Sequence, residues 1–274
     1  MKKALITGIT GQDGAYLTKT LLDSGYKVIG GVRRGAERSF WRLKELGLEQ
    51  EIEISEIELC EFSNVLKSFE KHKPDLIFNL AAQSFVGSSF DEPIYTIDVD
   101  ALGVVRCLEA VRLVTPESKF YQASTSEMFG GVHNGIPTNE KTFFQPRSPY
   151  ACGKLLAHHM VQNYRQGYGI FGCSGILFNH ESPLRGEEFV TRKVTLGIAN
   201  ILSGKQDKIT MGNIDSERDW GHAYDYVGAM KLMLEHDYPD DYVIATGETY
   251  KIRKFIELAF EVAGINIEWS GTGL

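Results

Sequence analysis

A tyrosine and a lysine spaced four positions apart open one helical pattern in the sequence. They are Tyr150 and Lys154 in the stretch SPYACGK, where Pro149 marks the predicted start of the helix. Residues at i and i+4 share one helical face, so the ammonium lies beside the phenol. A neighbouring positive charge lowers the pKa of a phenol, and the phenolate can then take a proton from a substrate hydroxyl. The spacing predicts a general base, with a plain amphipathic helix as the alternative.

The same spacing recurs at Tyr250 and Lys254, after the turn residues TGE. No group of hydroxyl side chains precedes this second pair, so we predict that it lies on a surface helix. Tyr150 and Lys154 are preferred as the base because the hydroxyl-rich stretch QASTSEMFG precedes them.

That stretch contains three adjacent polar residues, Thr125, Ser126 and Glu127. Oxidation of an alcohol needs a hydroxyl that orients the substrate, but it does not need a carboxylate. A carboxylate fits a further task, the removal of a proton alpha to a ketone, which begins an elimination. The alternative is that Glu127 faces solvent or caps the next segment.

Three glycines at three-residue spacing, Gly8, Gly11 and Gly14, follow the first apolar run of the chain. A strand, a glycine-rich turn and a helix in this order are typical of a dinucleotide site. The first glycine permits a tight turn, the second lets a pyrophosphate approach the backbone, and the third lets the helix pack closely on the strand. The pyrophosphate then faces the positive end of the helix. An ordinary turn is the alternative.

The second apolar run ends in Arg33 and Arg34. An acidic residue at this point binds the ribose 2′-hydroxyl of NAD, whereas an arginine accommodates the 2′-phosphate of NADP. The arginines therefore favour NADP, and a solvated basic turn is the alternative.

The candidate site residues lie at the ends of predicted strands or at the starts of predicted helices, in a sequence in which strands and helices alternate. Apolar runs predict strands at KALITG, YKVIGGV, EIEISEIEL, DLIFNLAA, KFYQAST, FGCSGILFN and, later, YVIATGE, and TIDVDALGVVRCLEAVRLV predicts a long helix. The alternation over residues 1–177 predicts an α/β domain with a doubly wound parallel Rossmann sheet that binds the dinucleotide. The rhythm then changes, which predicts a smaller α/β C-terminal substrate domain at 178–274, with residues about 212–247 partly returning to the first domain.

Composition limits the class of partner. The net charge of −7 argues against a nucleic-acid-binding protein, and no apolar run is long enough for a signal peptide or a membrane span. The four cysteines have no CxxC spacing and are expected to be reduced thiols, which favours a cytoplasmic location. His158 and His159 are adjacent and should point apart on a helix, so we expect no metal site.

The sequence resembles the extended short-chain dehydrogenase/reductase family and, within it, the GDP-mannose 4,6-dehydratases. The resemblance covers nearly the whole chain, and NHESP and RDWGHA are not general Rossmann features. It implies a lyase that converts GDP-mannose into GDP-4-keto-6-deoxymannose and water with tightly bound NADP, and it implies a homodimer or homotetramer. The stretches that carry it include ALITGITGQDGAYL, FNLAAQSFVGSSF, KFYQASTSEMFG, PRSPYACGK, GILFNHESPLRGEEFVTRKV and GNIDSERDWGHAYDYV.

The resemblance also implies two sets of binding residues. NADP is expected to contact Gly8, Ile9, Thr10, Gly11, Gln12, Asp13, Gly14, Arg33, Arg34, Glu58, Leu59, Leu80, Ala81, Ala82, Gln83, Ser84, Tyr95, Tyr150, Lys154, His180 and Arg185. GDP-mannose is expected to contact Ser84, Ser126, Asn179, Lys193 and Arg218.

The mechanism implied by the resemblance is redox-neutral. Tyr150 deprotonates the mannose 4-hydroxyl while a hydride leaves C4 for NADP, and Lys154 holds the nicotinamide ribose. Thr125 hydrogen-bonds the 4-oxygen. Glu127 removes the C5 proton and helps to expel the C6 hydroxyl as water, after which the hydride returns to C6. Relatives that act on dTDP-glucose carry an aspartate where this chain has Ser126, so one carboxylate is expected to act here as both base and acid, either alone or with the help of the serine.

Three features depart from the family pattern. Glu58 stands where an aspartate usually lies beside the adenine. Gly153 lies inside a predicted helix, at a cost of about 1 kcal/mol relative to alanine. The chain ends at EWSGTGL, before the family's usual carboxyl end, so the substrate domain is expected to be truncated.

Three other functions stay open on the motifs. A 4-reductase or 4-epimerase for a nucleotide sugar needs Tyr150 and Lys154 but no carboxylate at position 127. A dehydratase for a GDP-linked heptose shares every motif. A sensor that binds NADP without turnover needs neither a base nor a proton-removing carboxylate.

Overall fold

The computed structural model describes residues 1–35, 39–131 and 136–271. The chain folds as two compact units. Unit 1 comprises Met1–Phe178 and Ala223–Ile244, and unit 2 comprises Asn179–His222 and Ala245–Leu274.

The strands and helices follow each other along the chain as the apolar runs and amphipathic stretches predict. The strands are β1 (Lys3–Thr7), β2 (Lys27–Val32), β3 (Glu53–Glu56), β4 (Leu76–Asn79), β5 (Lys119–Thr125), β6 (Gly172–Leu177), β7 (Asn179–Glu181), β8 (Glu217–His222), β9 (Asp241–Ile244) and β10 (Thr249–Lys251). The helices are α1 (Gln12–Asp23), α2 (Trp41–Glu45), α3 (Phe62–His72), α4 (Val86–Asp91), α5 (Pro93–Ile97), α6 (Gly103–Val114), α7 (Pro149–Tyr168), α8 (Val190–Leu202), α9 (Ala223–Glu235) and α10 (Ile252–Val262).

Unit 1 contains a seven-stranded sheet in the order β3-β2-β1-β4-β5-β6-β9. Each neighbouring pair is parallel. The strand order reverses between β1 and β4, and in open α/β sheets the ligand crevice lies at the carboxyl ends of the strands beside such a point. The predicted doubly wound Rossmann fold is therefore confirmed.

The strands of this sheet are apolar because helices cover both faces. Leu5, Ile29, Ile77 and Phe120 come from four different strands and are all fully buried. Each such side chain contributes about 1.5–3 kcal/mol by leaving water. Their cluster includes the inner faces of α3, α6 and α7, so the core fixes where these helices begin.

The predicted long helix over residues 96–114 is interrupted. Between α5 and α6 the chain makes a π-helical turn at Asp98–Leu102. Gly103 follows this turn and packs so closely that a Cβ there would lie 3.0 Å from the Leu59 Cβ. π-helical turns are rare and often occur at functional sites.

The outermost strand of the sheet, β9, is fixed by the carboxylate of Asp241. Its Oδ2 accepts hydrogen bonds from Arg165 Nη2 and Gln162 Nε2, both at 2.8 Å, and its Oδ1 accepts from the Ser174 amide at 3.2 Å. Burial acts to raise the pKa of Asp241, but the hydrogen bonds from Arg165 and Gln162 outweigh it and hold the pKa below its usual value. The ionised carboxylate thus joins α7, β6 and β9.

Unit 2 has a three-stranded sheet in the order β10-β8-β7, in which β8 is antiparallel to β10 and parallel to β7. Helices α8 and α10 pack their apolar faces together through Val194, Ile198, Ile256 and Phe260. The buried carboxylate of Asp219 accepts hydrogen bonds from the amides that follow β9. This carboxylate holds the turn before β10.

The second tyrosine–lysine pair does not lie on one helix, so that prediction was wrong. Tyr250 belongs to β10, where it pairs with Arg218 of β8, and Lys254 belongs to α10. The Tyr250 hydroxyl donates to Glu248 Oε2 at 2.5 Å. The two side chains therefore share no helical face.

Within the described residues, none of the helices combines the length and the apolar character needed to cross a membrane.

Candidate active site

The glycine-rich turn lies at the carboxyl end of β1. Gly8 has φ of +69°, and a Cβ there would lie 2.7 Å from the Ala81 amide nitrogen. A Cβ at Gly14 would lie 2.5 Å from the Gly8 carbonyl oxygen. Helix α1 therefore starts directly against the turn. Its N-cap residue, Gly11, brings no capping side chain to the first-turn amides, which leaves the positive end of the helix suited to an anionic pyrophosphate.

The residues between these glycines lie on the same turn and the start of α1. Ile9 is fully buried, and its side chain is the neighbour that a Cβ at Gly30 would meet at 2.7 Å. Gln12 donates to Asp13 Oδ1 at 3.2 Å. Thr10 offers its carbonyl oxygen to Arg42 Nη1 at 3.0 Å. Arg42 was not predicted as a site residue, because the sequence between β2 and this arginine has neither helical nor strand periodicity.

The two arginines after β2 have different partners. Arg33 Nη1 donates to the Tyr95 hydroxyl at 2.9 Å, so the structure brings together two residues predicted to contact the cofactor. Arg34 donates through Nε and Nη2 to one oxygen of Glu56, at 3.1 and 2.9 Å. The charge of Arg34 is thus already partnered, whereas Arg33 contacts a neutral hydroxyl.

The residues predicted to contact the adenine follow β3. Glu58 Oε1 accepts from the Cys60 amide at 3.3 Å, so this carboxylate is engaged by its own loop. The Leu59 side chain is buried, and its carbonyl oxygen accepts from Arg106 Nη1 at 3.0 Å. The loop is therefore fixed to α6.

The predicted segment Leu80–Ser84 continues β4 past the glycine turn. The Leu80 and Ala81 amides donate to the carbonyl and hydroxyl oxygens of Thr7, at 3.3 and 3.2 Å. The Gln83 amide donates to Asp100 Oδ1 at 2.7 Å. Ala82 is half-buried and Ser84 is exposed, so this stretch lines the carboxyl end of the sheet beside Gly8.

The three polar residues after β5 form a short turn. Thr125 ends the strand, and its Oγ1 accepts from the Glu127 amide at 3.2 Å, which caps the 3₁₀ turn Ser126–Phe129. Ser126 and Glu127 are half-buried. The hydroxyl and the carboxylate therefore leave the sheet at its carboxyl end.

Tyr150 and Lys154 lie in the first turns of α7. Ser148 caps the helix by accepting from the Ala151 amide at 3.1 Å. Lys154 is 3% exposed, its Nζ donates to the Ala123 carbonyl oxygen at 3.0 Å, and the same Nζ lies 5.8 Å from the Tyr150 ring centre. The lysine thus ties the start of α7 to the strand that carries Thr125. Burial lowers the pKa of Lys154.

A row of buried polar side chains connects the glycine turn with the lysine. Thr7, Asn79 and Gln122 are register neighbours on β1, β4 and β5. Thr7 Oγ1 donates to Asn79 Oδ1 at 2.6 Å, Asn79 Nδ2 donates to Gln122 Oε1 at 2.8 Å, and Gln122 Nε2 donates to the Ala123 carbonyl at 3.0 Å. That carbonyl also binds Lys154. Sequence reasoning missed this row, although each member is a polar residue at the end of an apolar run.

The remaining predicted residues belong to unit 2. Asn179 and His180 lie on β7 in register with Trp220 and Gly221 of β8, the strand that carries Arg218. Arg185 pairs with Glu181 at 3.2 Å, and its guanidinium lies over the Phe189 ring at 3.6 Å. Lys193 is exposed on α8, and Arg218 is half-buried.

The adjacent histidines of α7 are part of the packing of unit 1. His158 is buried, with Nε2 at 3.1 Å from Gln162 Nε2, and His159 is exposed. Among residues 1–35, 39–131 and 136–271, no three His, Cys, Asp or Glu side chains are grouped as metal ligands.

The family model and the relatives found by sequence name one family. The family model for GDP-mannose 4,6 dehydratase matches residues 5–274. The chain is 50% identical over 281 residues to the GDP-mannose 4,6-dehydratase of Yersinia enterocolitica, with 100% of this chain and 75% of that protein covered. It is 48% identical over 276 residues to the GDP-mannose 4,6 dehydratase of Homo sapiens, with 98% of this chain and 74% of that protein covered.

Among solved structures, the chain is similar to the UDP-glucose 4-epimerase of Thermus thermophilus in complex with NAD. The TM-score is 0.84 at 25% identity, with 97% of this chain and 85% of that chain covered. A family model that matches almost the entire sequence, and relatives at about half identity, establish the relationship that the motifs indicated. The chain belongs to the GDP-mannose 4,6-dehydratase family, within the extended short-chain dehydrogenase/reductases.

Proposed function

We propose that this protein is a hydro-lyase that converts GDP-mannose into GDP-4-keto-6-deoxymannose and water, with bound NADP. One observation carries the proposal: Lys154 Nζ donates to the Ala123 carbonyl at 3.0 Å. This hydrogen bond holds the base-bearing turns of α7 beside the end of β5, where Thr125 and Glu127 leave the sheet. The names of the relatives supply the substrate.

The first step that we propose is removal of a proton from the 4-hydroxyl by Tyr150. The Lys154 ammonium favours the phenolate by its charge. Thr125 is suited to orient the 4-oxygen. Because Thr125 Oγ1 already accepts from the Glu127 amide, the hydroxyl proton is directed to another acceptor, and the substrate oxygen can take that place.

The second step that we propose belongs to Glu127. Its carboxylate takes the proton from C5, which the neighbouring ketone acidifies, and gives a proton to the departing C6 hydroxyl. Since the neighbouring position holds Ser126 and not a second carboxylate, Glu127 acts as both base and acid, with the Ser126 hydroxyl available as a hydrogen-bonding aid. The hydrogen bond from the Glu127 amide to Thr125 fixes the backbone that carries both groups.

The cofactor site fits a dinucleotide. The turn at Gly8 and the close approach at Gly14 leave no room for a Cβ, and the positive end of α1 faces outward from that turn. A nicotinamide dinucleotide held by the glycine turn and the start of α1 would supply reversible hydride transfer to and from the hexose. A nicotinamide cofactor is further supported by the similar epimerase, whose structure contains NAD.

For NADP rather than NAD, the support is the arginine after β2. Arg33 is held by Tyr95 through a neutral hydroxyl, so its charge is available for a 2′-phosphate. Arg34 is the weaker candidate, because Glu56 already neutralises it.

For the GDP group, we propose the cationic side chains of unit 2. Lys193 is exposed and Arg218 is half-buried. Both residue types bind a diphosphate well. Asn179 adds an amide on the strand beside Arg218.

The test is incubation of the protein with GDP-mannose and NADP, followed by mass spectrometry and absorbance. We expect a nucleotide sugar lighter by one water and no net change in NADPH. Stoichiometric use of NADPH indicates a reductase, an unchanged mass with a changed sugar indicates an epimerase, and binding without turnover indicates a sensor. A higher kcat/KM for a GDP-linked heptose than for GDP-mannose would identify the heptose as the preferred substrate.

Glu127→Gln is the matched variant for this test, since it keeps the size of the side chain but removes the base. We expect retained cofactor binding and loss of elimination. Full dehydratase activity in Glu127→Gln contradicts the role given to the carboxylate.

We further propose a homodimer or homotetramer in the cytoplasm. The four cysteines, Cys60, Cys107, Cys152 and Cys173, are free thiols, which is typical of proteins in a reducing compartment. Analytical ultracentrifugation tests the assembly, and a monomer at micromolar concentration contradicts it.

A further inference from the structure

The carboxylate of Asp100 is fully buried on the π-helical turn. Its Oδ1 accepts from the Gln83 amide at 2.7 Å, but none of the described residues hydrogen-bonds its Oδ2. A carboxylate removed from water at this depth is costly unless a cation balances it. A nearby positive charge is therefore needed to stabilise the ionised form of Asp100.

The positive charge that acts on Asp100 belongs to Lys154 of α7, the residue after Gly153. Helix α7 approaches the π-helical turn closely because residue 153 is a glycine, where a Cβ would lie 3.4 Å from the Asp100 Cβ and 3.3 Å from Ile97 Cδ1. This approach accounts for a glycine inside α7. Lys154 is itself buried and hydrogen-bonds only a neutral carbonyl among the contacts described.

The two charges act on each other. Burial raises the pKa of Asp100 to about 6, and the Lys154 charge opposes this. Burial lowers the pKa of Lys154, and the Asp100 charge opposes that. Each group thus favours the ionised form of the other in a low-dielectric setting.

We propose that Asp100 is a positioning residue for the dehydration, which holds Lys154 as a cation beside Tyr150 and so sets the pH above which Tyr150 acts as a base. The inference rests on the proposed function. Asp100 also holds the Gln83 amide, so the same carboxylate joins the segment after β4 to the lysine.

Other ionisable groups on the packed elements are engaged elsewhere or act on neither group. In the described part of the chain, Lys154 is the one charged side chain that perturbs Asp100, and Asp100 is the one that perturbs Lys154. On the π-helical turn Asp98 pairs with Arg106 of α6 at 2.8 Å. Tyr95 of α5 hydrogen-bonds Arg33, and Glu109 of α6 contacts Arg112 and Tyr164. Glu127 lies on the 3₁₀ turn.

The first experiment is the pH profile of kcat/KM for Asp100→Asn. Asparagine keeps an oxygen acceptor for the Gln83 amide but carries no charge. Lys154 then loses its proton more readily, and the acid limb of the profile moves to higher pH by about one unit, or about tenfold in kcat/KM below the limb. An acid limb at the wild-type pH overturns the proposal.

Asp98→Asn is the matched control. It removes a carboxylate from the same π-helical turn, but this carboxylate pairs with Arg106. We expect its acid limb to coincide with that of the wild type. An equal shift in both variants overturns the proposal, since it would reflect a general disturbance of the turn.

The second experiment needs no turnover and so separates this inference from the proposed function. The ultraviolet phenolate titration of the wild type minus that of Tyr150→Phe isolates Tyr150, and the same difference is taken in the Asp100→Asn background. A titration midpoint higher by about one pH unit supports the inference even if no dehydration is seen. An unchanged midpoint overturns it.

If Asp100→Asn does not fold, the interaction between the two charges can be measured through the titration of Asp100 instead of Tyr150. Carboxyl carbon NMR of the wild type and Lys154→Met then follows the titration of Asp100. Because the coupling is reciprocal, loss of the lysine charge must raise the pKa of Asp100 further. An unchanged pKa contradicts the coupling.

Discussion

Replacement of Gly14 by alanine tests how the glycine turn positions helix α1. The new Cβ would lie 2.5 Å from the Gly8 carbonyl oxygen and 2.6 Å from the Ile9 Cα. Ordinary van der Waals contact begins at 3.4 Å, so the helix must move by 3.4 − 2.5 = 0.9 Å. The obstructing atoms are backbone, and no side chain can rotate away.

The size of the effect follows from two opposing contributions. Overpacking costs about 3 kcal/mol at the upper end of its usual range. The exchange of glycine for alanine inside a helix returns about 1 kcal/mol. Gly14→Ala should therefore lower the free energy of unfolding by about 2 kcal/mol, and it should weaken NADP binding by about tenfold because the pyrophosphate end of α1 is displaced.

The assay is urea unfolding followed by circular dichroism, with fluorescence titration of NADP. The control is Gly228→Ala in α9, the helix that packs on α1, where a Cβ meets nothing within 4 Å. This variant should be stabilised by about 0.5–1 kcal/mol. Equal unfolding midpoints for the two variants would refute the close approach of α1 to the turn.

Three further predictions follow from single contacts. Arg33→Glu should raise the Kd of NADP by about tenfold more than that of NAD, measured by fluorescence, and equal losses would contradict the 2′-phosphate contact. Asn79→Leu removes the acceptor of the Thr7 hydroxyl proton and the donor to Gln122 Oε1, and it should lower the free energy of unfolding in urea by about 3 kcal/mol. With Gln122→Leu added, the loss should be smaller than the sum of the single losses, and strict additivity would contradict a shared row. Asp241→Asn should lower stability by about 3 kcal/mol near neutral pH. Because the folded-state pKa of Asp241 is lowered, its contribution is present above the unfolded value and is lost as the pH falls through the folded value. The difference between wild type and variant should thus shrink as the pH falls below the usual pKa of an aspartate, and a constant difference would contradict the ionised network.

The sheet was predictable because parallel strands that are covered on both faces need continuous apolar runs. The inner strands of the large sheet coincide with such runs in the sequence, whereas the edge strand β3 has the weakly alternating pattern EISE. The candidate site was predictable to the extent that its residues are close in sequence, as with Tyr150 and Lys154 on one helix and Thr125 and Glu127 on one turn.

Long-range contacts were not predictable in the same way. The π-helical turn at Asp98–Leu102 depends on close packing of Gly103 against Leu59 and of Gly153 against Asp100. None of these contacts has a local periodic signal. The partnership of Asp100 with Lys154 therefore emerges only when the helices are placed side by side.

The error at Tyr250 and Lys254 has a related cause. The spacing of the two residues fits a helical face, but pairing of β10 with β8 makes Tyr250 extended and starts α10 at Ile252. Tertiary pairing overrides local propensity here. By contrast, the row of Thr7, Asn79 and Gln122 was accessible in principle, since each is a polar residue that directly follows apolar residues on its strand.

In the proposed reaction one hexose ring gives up a hydride at C4 and receives it back at C6 within the same site. The most direct measurement uses GDP-mannose deuterated at C4, mixed with unlabelled substrate and an excess of free NADP. We expect the deuterium at C6 of the 4-keto product and no label in the free NADP. Deuterium in the free cofactor or in water, or a product that retains its 6-hydroxyl, would contradict it.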